Sequence, residues 1–250
     1  MKITVITVCK NSEKSIEKTI KSILNQKYHN VEYIIIDGQS IDKTLSIINT
    51  YKNSISKIIS ETDDGIYSAI NKGIKISSGD VVSILHSDDV YYDEMVLSDV
   101  ARNFQENNNL ECLIGTTIMK MKFKDYVLRK YSPINFKKWM FYLGISPPHP
   151  SMFVKRSIYN KYGAYKENYK IAADFEFYLR VIMKNKISYQ LTDKNLVVMR
   201  YGGASTKSIK SNFIATKEIL NSFKTNGLYT NWFFVSLRFL FKLLQFVFKK

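Results

Sequence analysis

The chain has 250 residues, enough for one large domain with its own core, and its 45% hydrophobic and 24% charged content is that of a globular protein. Its 37 basic residues against 22 acidic ones leave a formal charge of +15, which calls for an anionic partner: nucleic acid, an acidic membrane surface or a phosphorylated substrate. Two widely separated cysteines, Cys9 and Cys112, argue against a disulfide framework, and no run of about 20 uninterrupted apolar residues suggests a membrane span.

In chain order, "KITVITV" (2–8) is β-branched on both faces, as expected for a strand covered on both sides. Threonines and Lys10 keep it from reading as a signal peptide, so a cytoplasmic protein is expected. Asn11-Ser12 is a candidate helix cap before Ile16, Ile20, Ile23 and Leu24 at helical spacing. "VEYIIIDG" (31–38) is a second buried strand, followed by a helix with Leu45, Ile47 and Ile48 apolar. "SKIIS" (56–60) is a short third strand, "GIYSAINKGIKIS" (65–77) a helix and "DVVSILH" (80–86) a fourth strand. This alternation predicts an α/β fold with a mostly parallel central sheet flanked by helices.

Ligands of such sheets bind at the carboxyl ends of the strands. The polar residues gather there: Thr7, Cys9 and Asn11 after the first strand, Asp37 after the second, Glu61 to Asp64 after the third, Asp88 and Asp89 after the fourth. Adjacent aspartates ending an apolar run need a reason, because each is costly to bury and the two repel. One reason is a hard divalent cation, Mg²⁺ or Mn²⁺, held by one carboxylate and completed by substrate phosphates while the other carboxylate meets a sugar hydroxyl. The alternative is that Asp89 caps a helix beginning near Tyr91.

The second half is less regular. "LECLIGTTIMKMKFKDYVLRKY" (110–131) predicts a β-hairpin turning near Lys124-Asp125; "GISPPHPSMFV" (144–154), with three of the four prolines, is an ordered or gated loop. "KIAADFEFYLRVIMK" (170–184) has helical spacing, with Phe175, Tyr178, Leu179 and Ile182 on one face, and a strand-like "NLVVMRY" precedes Gly202-Gly203. In "NWFFVSLRFLFKLLQFVFKK" (231–250), Arg238, Lys242, Gln245 and Lys249 form a narrow polar stripe on an otherwise apolar helix. That pattern suits a helix lying in an anionic membrane surface; the alternative is a helix docked on the domain or on another subunit.

The segments "TVITVCKNSEKSIEKTIKSILNQKYHNVEYIIIDGQSIDKT" and "GIYSAINKGIKISSGDVVSILHSDDVYYDEM" resemble glycosyltransferase family 2, the inverting GT-A enzymes, and its bacterial polysaccharide-assembly branch in particular. The likeness runs in order over about residues 2–205. It implies a GT-A fold, a nucleotide-diphosphate sugar donor (UDP-sugar), a divalent metal (Mn²⁺ or Mg²⁺) on the departing diphosphate, and one direct displacement at the anomeric carbon. By the same resemblance Thr7, Cys9 and Asn11 line the nucleotide pocket, Asp37 bonds the base, and Asp63 or Asp64 lies near it. Asn71 and Lys72 sit beside the donor, although a charged helix face also explains Lys72. Asp88 holds the ribose or sugar and Asp89 the metal. The chain departs from the commoner pattern at Cys9, where tyrosine is frequent, and at His86, where Asp or Asn is frequent.

Direct displacement needs a base for the acceptor hydroxyl. "AADFEFYLR" offers Asp174 and Glu176, which point in different directions two positions apart on a helix. The resemblance assigns the base to Asp174, the alternative being a first-turn acid favoured by the helix dipole; Glu176 is expected to pair with Arg180. "PPHPSMFVKR" resembles the segment that closes over the donor, where His149 would contact the diphosphate or complete the metal shell, or serve structure alone. Arg200, Gly202, Gly203 and Ser205 resemble a segment whose backbone approaches phosphate, or form a simple turn.

The resulting expectation is a GT-A domain over 1–227, with a nucleotide-sugar half (1–109) and an acceptor half (110–227), and an amphipathic membrane-associating helix over 228–250. Its partners would be a nucleotide sugar, a glycan or lipid-linked acceptor and the cytoplasmic face of the cell membrane. A sugar-nucleotide pyrophosphorylase would need glycines after the first strand, and "TVCKNSEKS" has none. A nucleic-acid-binding protein would cluster its lysines with exposed aromatics, whereas here they are scattered.

Overall fold

A computed structural model describes residues 1–121, 126–200 and 209–247, for residues 209 and 240–247 as backbone alone. Strands β1 (Ile3–Cys9), β2 (Val31–Asp37), β3 (Lys57–Ser60) and β4 (Val81–Ile84) alternate with helices α1 (Ile16–Leu24), α2 (Thr44–Thr50) and α3 (Ile66–Ile76). They pair in parallel in the order β3-β2-β1-β4, so all four strands end at one edge.

The second half extends this sheet with a different grain. Strands β5 (Val90–Tyr91), β6 (Cys112–Lys120), β7 (Val127–Tyr131), β8 (Met152–Lys155) and β9 (Tyr189–Arg200) complete a nine-stranded sheet in which β8 follows β4, then β6, β9 and β5, with β7 on β6. Pairings β4–β8, β6–β8, β5–β9 and β6–β7 are antiparallel and β6–β9 parallel. The β6–β7 hairpin is as expected; its turn at Lys124-Asp125 lies outside the described residues.

The sheet is buried on both faces, and the period of two sorts its side chains. Ile3 and Val5 of β1, Tyr33 and Ile35 of β2 and Val81 of β4 pack with α1, α2 and α4 (Val96–Glu106). Ile6, Val8, Ile34, Ile36, Val82 and Ile84 face the other way. They pack with α3, α5 (Arg156–Tyr162), α6 (Ala173–Tyr178), α7 (Ile209–Thr225) and α8 (Trp232–Val247). Helix α3 lies close on β1: a Cβ at Gly73 would come within 2.5 Å of Ile6 Cγ2.

Several local expectations are corrected. Helix α1 starts at Ile16 with Ser15 before it, so Asn11-Ser12 is not its cap. Asn11 takes a left-handed φ of 51° and spends its Oδ1 on the Ile41 amide instead. No helix begins near Tyr91: Val90–Tyr91 pairs with β9 and α4 begins at Val96, so Asp89 caps nothing. The 170–184 segment is α-helical only over Ala173–Tyr178 and then widens into a π-helical stretch, Leu179–Lys184.

That widened helix is anchored by a buried ion pair, the predicted Glu176–Arg180. Arg180 donates Nε to Oε1 at 3.0 Å and Nη2 to Oε2 at 2.8 Å of Glu176. Its remaining donors reach the carbonyls of Tyr162, Gly163 and Ala164, while Asn226 Nδ2 reaches Glu176 Oε1 at 3.2 Å. With every oxygen and nitrogen engaged, the pair ties α5, α6 and α7 together. Replacing Arg180 by methionine strands a carboxylate that is 1% exposed. The expected loss is about 3–5 kcal/mol, read as a lower urea midpoint.

Candidate functional site

The loops after β1–β4 bond to one another at the common strand edge. Gly38 N donates to Cys9 O at 2.8 Å and Glu61 N to Asp37 O at 3.0 Å, while the hydroxyls of Ser12 and Ser87 lie 2.8 Å apart. This lattice sets the depth of each candidate residue.

Asp37 is wholly buried, its carboxylate accepting from Ser40 N at 3.0 Å and from the hydroxyls of Ser40 and Ser60. Thr7, also buried, accepts from Tyr33 Oη at 3.2 Å. Cys9 is 7% exposed, and burial, reinforced by Asp37, pushes its thiol far up, so it stays protonated. Asp63 takes the Lys72 ammonium at 2.6 Å, which Glu61 shares at 2.8 Å, and Asp64 is exposed. Asn71 clamps the Tyr165 backbone, Nδ2 to O at 2.8 Å and Oδ1 from N at 3.0 Å. Thr7, Cys9 and Asp37 are thus buried at the strand edge, Asn71 and Lys72 of α3 are held by their partners, the Asp63 side chain is largely covered, and Asn11 and Asp64 are exposed.

Past β4 the balance changes. Asp88 is half-buried, whereas Asp89 is 1% exposed and its Oδ1 has no hydrogen-bond partner among the described residues. Burial, and then the adjacent Asp88 charge, push the Asp89 carboxyl well up, against a backbone hydrogen bond and positive charge from Arg200. Strand β9 delivers Arg200 to this point; Gly202, Gly203 and Ser205 lie outside the described residues.

His86 faces His149, with ring centroids 6.4 Å apart. Burial, and then His149, lower the His86 imidazole to about 4, with Asp88 and Asp174 opposing. Burial lowers His149 to about 4 as well, so both rings are neutral at pH 7. His149 Nε2 lies 2.8 Å from Tyr165 Oη, and Tyr165 stacks on Tyr67 at 5.9 Å.

Asp174 stands in the first turn of α6, half-buried, with Oδ1 accepting from Phe175 N at 2.8 Å. Burial raises its carboxyl to about 6, the Phe175 amide and His86 opposing and Glu218 reinforcing. Glu218 of α7 fixes the chain just before α6, accepting Lys170 N at 2.7 Å, Ile171 N at 3.0 Å and Ala172 N at 2.8 Å. Tyr67 Oη donates to Ile171 O at 2.6 Å. Sequence reasoning missed both supports: Tyr67 sat inside the quoted helical segment without a role of its own, and Glu218 had no local signal.

Beside Asp174 opens a cavity of about 530 Å³, walled by β7, the 144–148 loop, α6, α7 and α8. Helix α8 departs from expectation here. Arg238, the first residue of its polar stripe, turns inward at 4% exposure, while Trp232, Phe233 and Phe234 stay exposed. The helix thus docks on the domain through Val235 and Arg238. Among the described residues no helix is long and apolar enough to cross a membrane.

No group of three His, Cys, Asp or Glu side chains converges among the described residues. An orphaned carboxylate oxygen on Asp89 beside half-buried Asp88 nevertheless suits a hard cation that takes its remaining ligands from phosphates and water. The residues fit such an ion at Asp88-Asp89; at His149 the Nε2 atom is already occupied by Tyr165.

Known proteins share this architecture. Over 183 residues the chain is 31% identical to an uncharacterized glycosyltransferase of Mycobacterium tuberculosis, covering 72% of this chain and 69% of that one. It is 26% identical to a PGL/p-HBAD biosynthesis glycosyltransferase of Mycobacterium bovis, covering 78% and 75%. Among solved structures, S. aureus TarS 1-349 in complex with UDP-GlcNAc superposes with a TM-score of 0.68 at 22% identity, covering 89% of this chain and 66% of that one. The mannosyltransferase PcManGT from Pyrobaculum calidifontis, in complex with GDP-Man and Mn2+, gives 0.66 at 15% identity, covering 90% and 63%. This chain thus spans just under two thirds of the length of those solved chains. At these identities the superpositions establish the fold, a GT-A glycosyltransferase fold. The model of glycosyl transferase family 2 matches residues 4–163, from the first strand to the end of α5, and the chain belongs to that family.

Proposed function

We propose that this chain is an inverting glycosyltransferase that moves a sugar from a nucleotide-diphosphate donor, a UDP-sugar, to a hydroxyl of a glycan or lipid-linked acceptor. The observation that carries the reading is Asp174: a carboxyl raised to about 6, between the strand-edge cleft and the 530 Å³ cavity. A base held near the working pH accepts a proton efficiently while remaining mostly ionised at pH 7.

In this reading the β1–β4 loops bind the nucleotide, with Asn11, Asp63 and Asp64 closest to it and Asp37 holding the floor through its serines. Asn71 and Lys72 act through the wall they stabilise. Asp88 and Asp89 hold the divalent ion, Mn²⁺ or Mg²⁺, which when bound neutralises the diphosphate as it departs. His149 and Arg200 are assigned to the diphosphate, together with Gly202 and Gly203, which lie outside the described residues. Asp174 takes the acceptor proton, and Glu218 and Tyr67 hold the α6 entry still so that Oδ2 and Oδ1 keep their aim. Neutral His86 and His149 place no imidazolium beside the base, so it keeps its basicity.

The exposed aromatics Trp232, Phe233, Phe234, Tyr229 and Phe213 form an apolar surface. They support peripheral contact with an anionic membrane, with this aromatic face turned to lipid and Arg238 turned to the domain.

Asp174→Asn should keep UDP affinity in calorimetry while transfer falls by about 10²–10⁴-fold; lost UDP binding would place Asp174 elsewhere. In the parent protein kcat/KM should fall as pH drops through about 6. Because the folded-state carboxyl lies above its unfolded value of 3.8, the ionised form penalises folding above pH 6 and not below pH 4. Asp174→Asn should therefore stabilise the protein at pH 7 by roughly 1–3 kcal/mol, the gain fading toward pH 4 in denaturant melts.

Asp88→Asn and Asp89→Asn should each abolish the Mn²⁺-dependent part of UDP binding, and Asp89→Asn should leave the thermal midpoint unchanged or raised. Unaltered manganese dependence in both would remove the ion from this position. Trp232→Ser combined with Phe233→Ser should release the protein from sedimenting anionic vesicles without altering its thermal midpoint.

A further inference from the structure

The cavity beside Asp174 carries a second uncompensated charge, of opposite sign. Arg238 is 4% exposed and lines the cavity. Its Nη2 donates to Thr216 Oγ1 at 2.8 Å and Asn212 O at 3.3 Å. Its Nη1 has no partner among the described residues. A Cβ at Gly144 would sit 3.2 Å from Nη1, and φ of +69° at that residue suits glycine, so the loop keeps close to the guanidinium without covering it by a side chain. Burial lowers the guanidinium to about 10, with no acidic group offsetting the loss, yet it stays charged at pH 7. Leaving a buried guanidinium nitrogen unbonded is expensive, and an anion is the natural remedy.

The rest of the lining has the same sign. Arg129 and Lys130 of β7 border the cavity, Arg129 lying 3.6 Å over the Tyr131 ring. Among the described residues that line it, Asp174 is the only acidic one. Three cations against one carboxylate suit a doubly charged phosphoryl group better than a carboxylate, and guanidinium donors match its oxygens in pairs.

We propose that this cavity is the acceptor subsite and that Arg238, with Arg129 and Lys130, grips a phosphoryl group on the acceptor while Asp174 meets its hydroxyl. The proposal rests on the glycosyl-transfer reading and deepens it: the acceptor is a phosphate-bearing glycan or a lipid-linked phosphate. Helix α8 then has a binding role, supplying a ligand from the end of the chain to a site built by α6, α7 and β7.

The test uses the full chain with UDP and Mn²⁺ filling the donor cleft, and repeats the titrations without them. Geranyl diphosphate stands for a lipid-linked phosphate and sn-glycerol 1-phosphate for a polyol-phosphate chain, with geraniol and glycerol as uncharged controls. At least one phosphate should bind more tightly than its alcohol. Arg238→Gln and Arg129→Gln should each weaken it by about tenfold or more, Arg238→Lys recovering part, with UDP affinity unchanged. Preference for geranyl diphosphate assigns the lipid source, preference for glycerol phosphate the polymer, and equal binding a site that reads the phosphoryl group alone. Should Arg238→Gln fail to fold, the Arg129→Gln comparison still decides. Phosphates binding no better than their alcohols, or binding unchanged in both variants, would overturn the proposal. Absent UDP binding in the parent protein would instead strike the donor reading.

Discussion

A carboxylate removed from water has to be compensated or it will protonate, and this structure is organised around which carboxylates receive compensation. Asp37 is surrounded by serine donors, Asp63 by Lys72, and Glu176 by a guanidinium whose other donors are also used. Asp89 and Asp174 are left short. Both are raised by burial. Uncompensated charge in a folded protein costs stability, so its position marks where the fold gives up stability for chemistry.

The supports explain why this arrangement persists. The parallel half of the sheet brings four loops to one edge and laces them by hydrogen bonds. The region around Asp174 is built differently. It is assembled from helix ends: the Glu176–Arg180 pair anchors α6, Glu218 seats its entry, and Tyr67 and Tyr165 link that entry to α3 and His149. Arg238 adds the complementary deficit in the lining of the same cavity, a buried guanidinium with one nitrogen unbonded among the described residues. Asp174 and Arg238 thus line one cavity, the pairing that the proposed phosphate-bearing acceptor requires.

The fold class was legible because its signals are local. β-branched runs with alternating helices predict a doubly covered sheet, and polar residues at strand ends predict a cleft there; "GIYSAINKG" and "HSDD" are compact enough to be read as a unit. The division of labour between Asp174 and Glu176 was also legible, since two positions on a helix differ by about 200°. Asn11 was misread as a cap because its alternative partner, the Ile41 amide, belongs to another loop. The inward turn of Arg238 was out of reach for the same kind of reason: amphipathicity shows that a helix has two faces, and not which one the domain covers.

The amino-acid order by itself determined the strand–helix rhythm and the acidic strand ends, because hydrophobic period and turn chemistry act within a few residues, while the choice of Asp174 as candidate base came from the family resemblance. Only the tertiary structure decided which of those acids are satisfied and which are stranded, that His86 faces His149, that Glu218 and Tyr67 seat α6, and that Arg238 points into a cavity. Those outcomes depend on partners brought from distant parts of the chain, and desolvation, the effect that separates a wall carboxylate from a reactive one, exists only once the packing around it is complete.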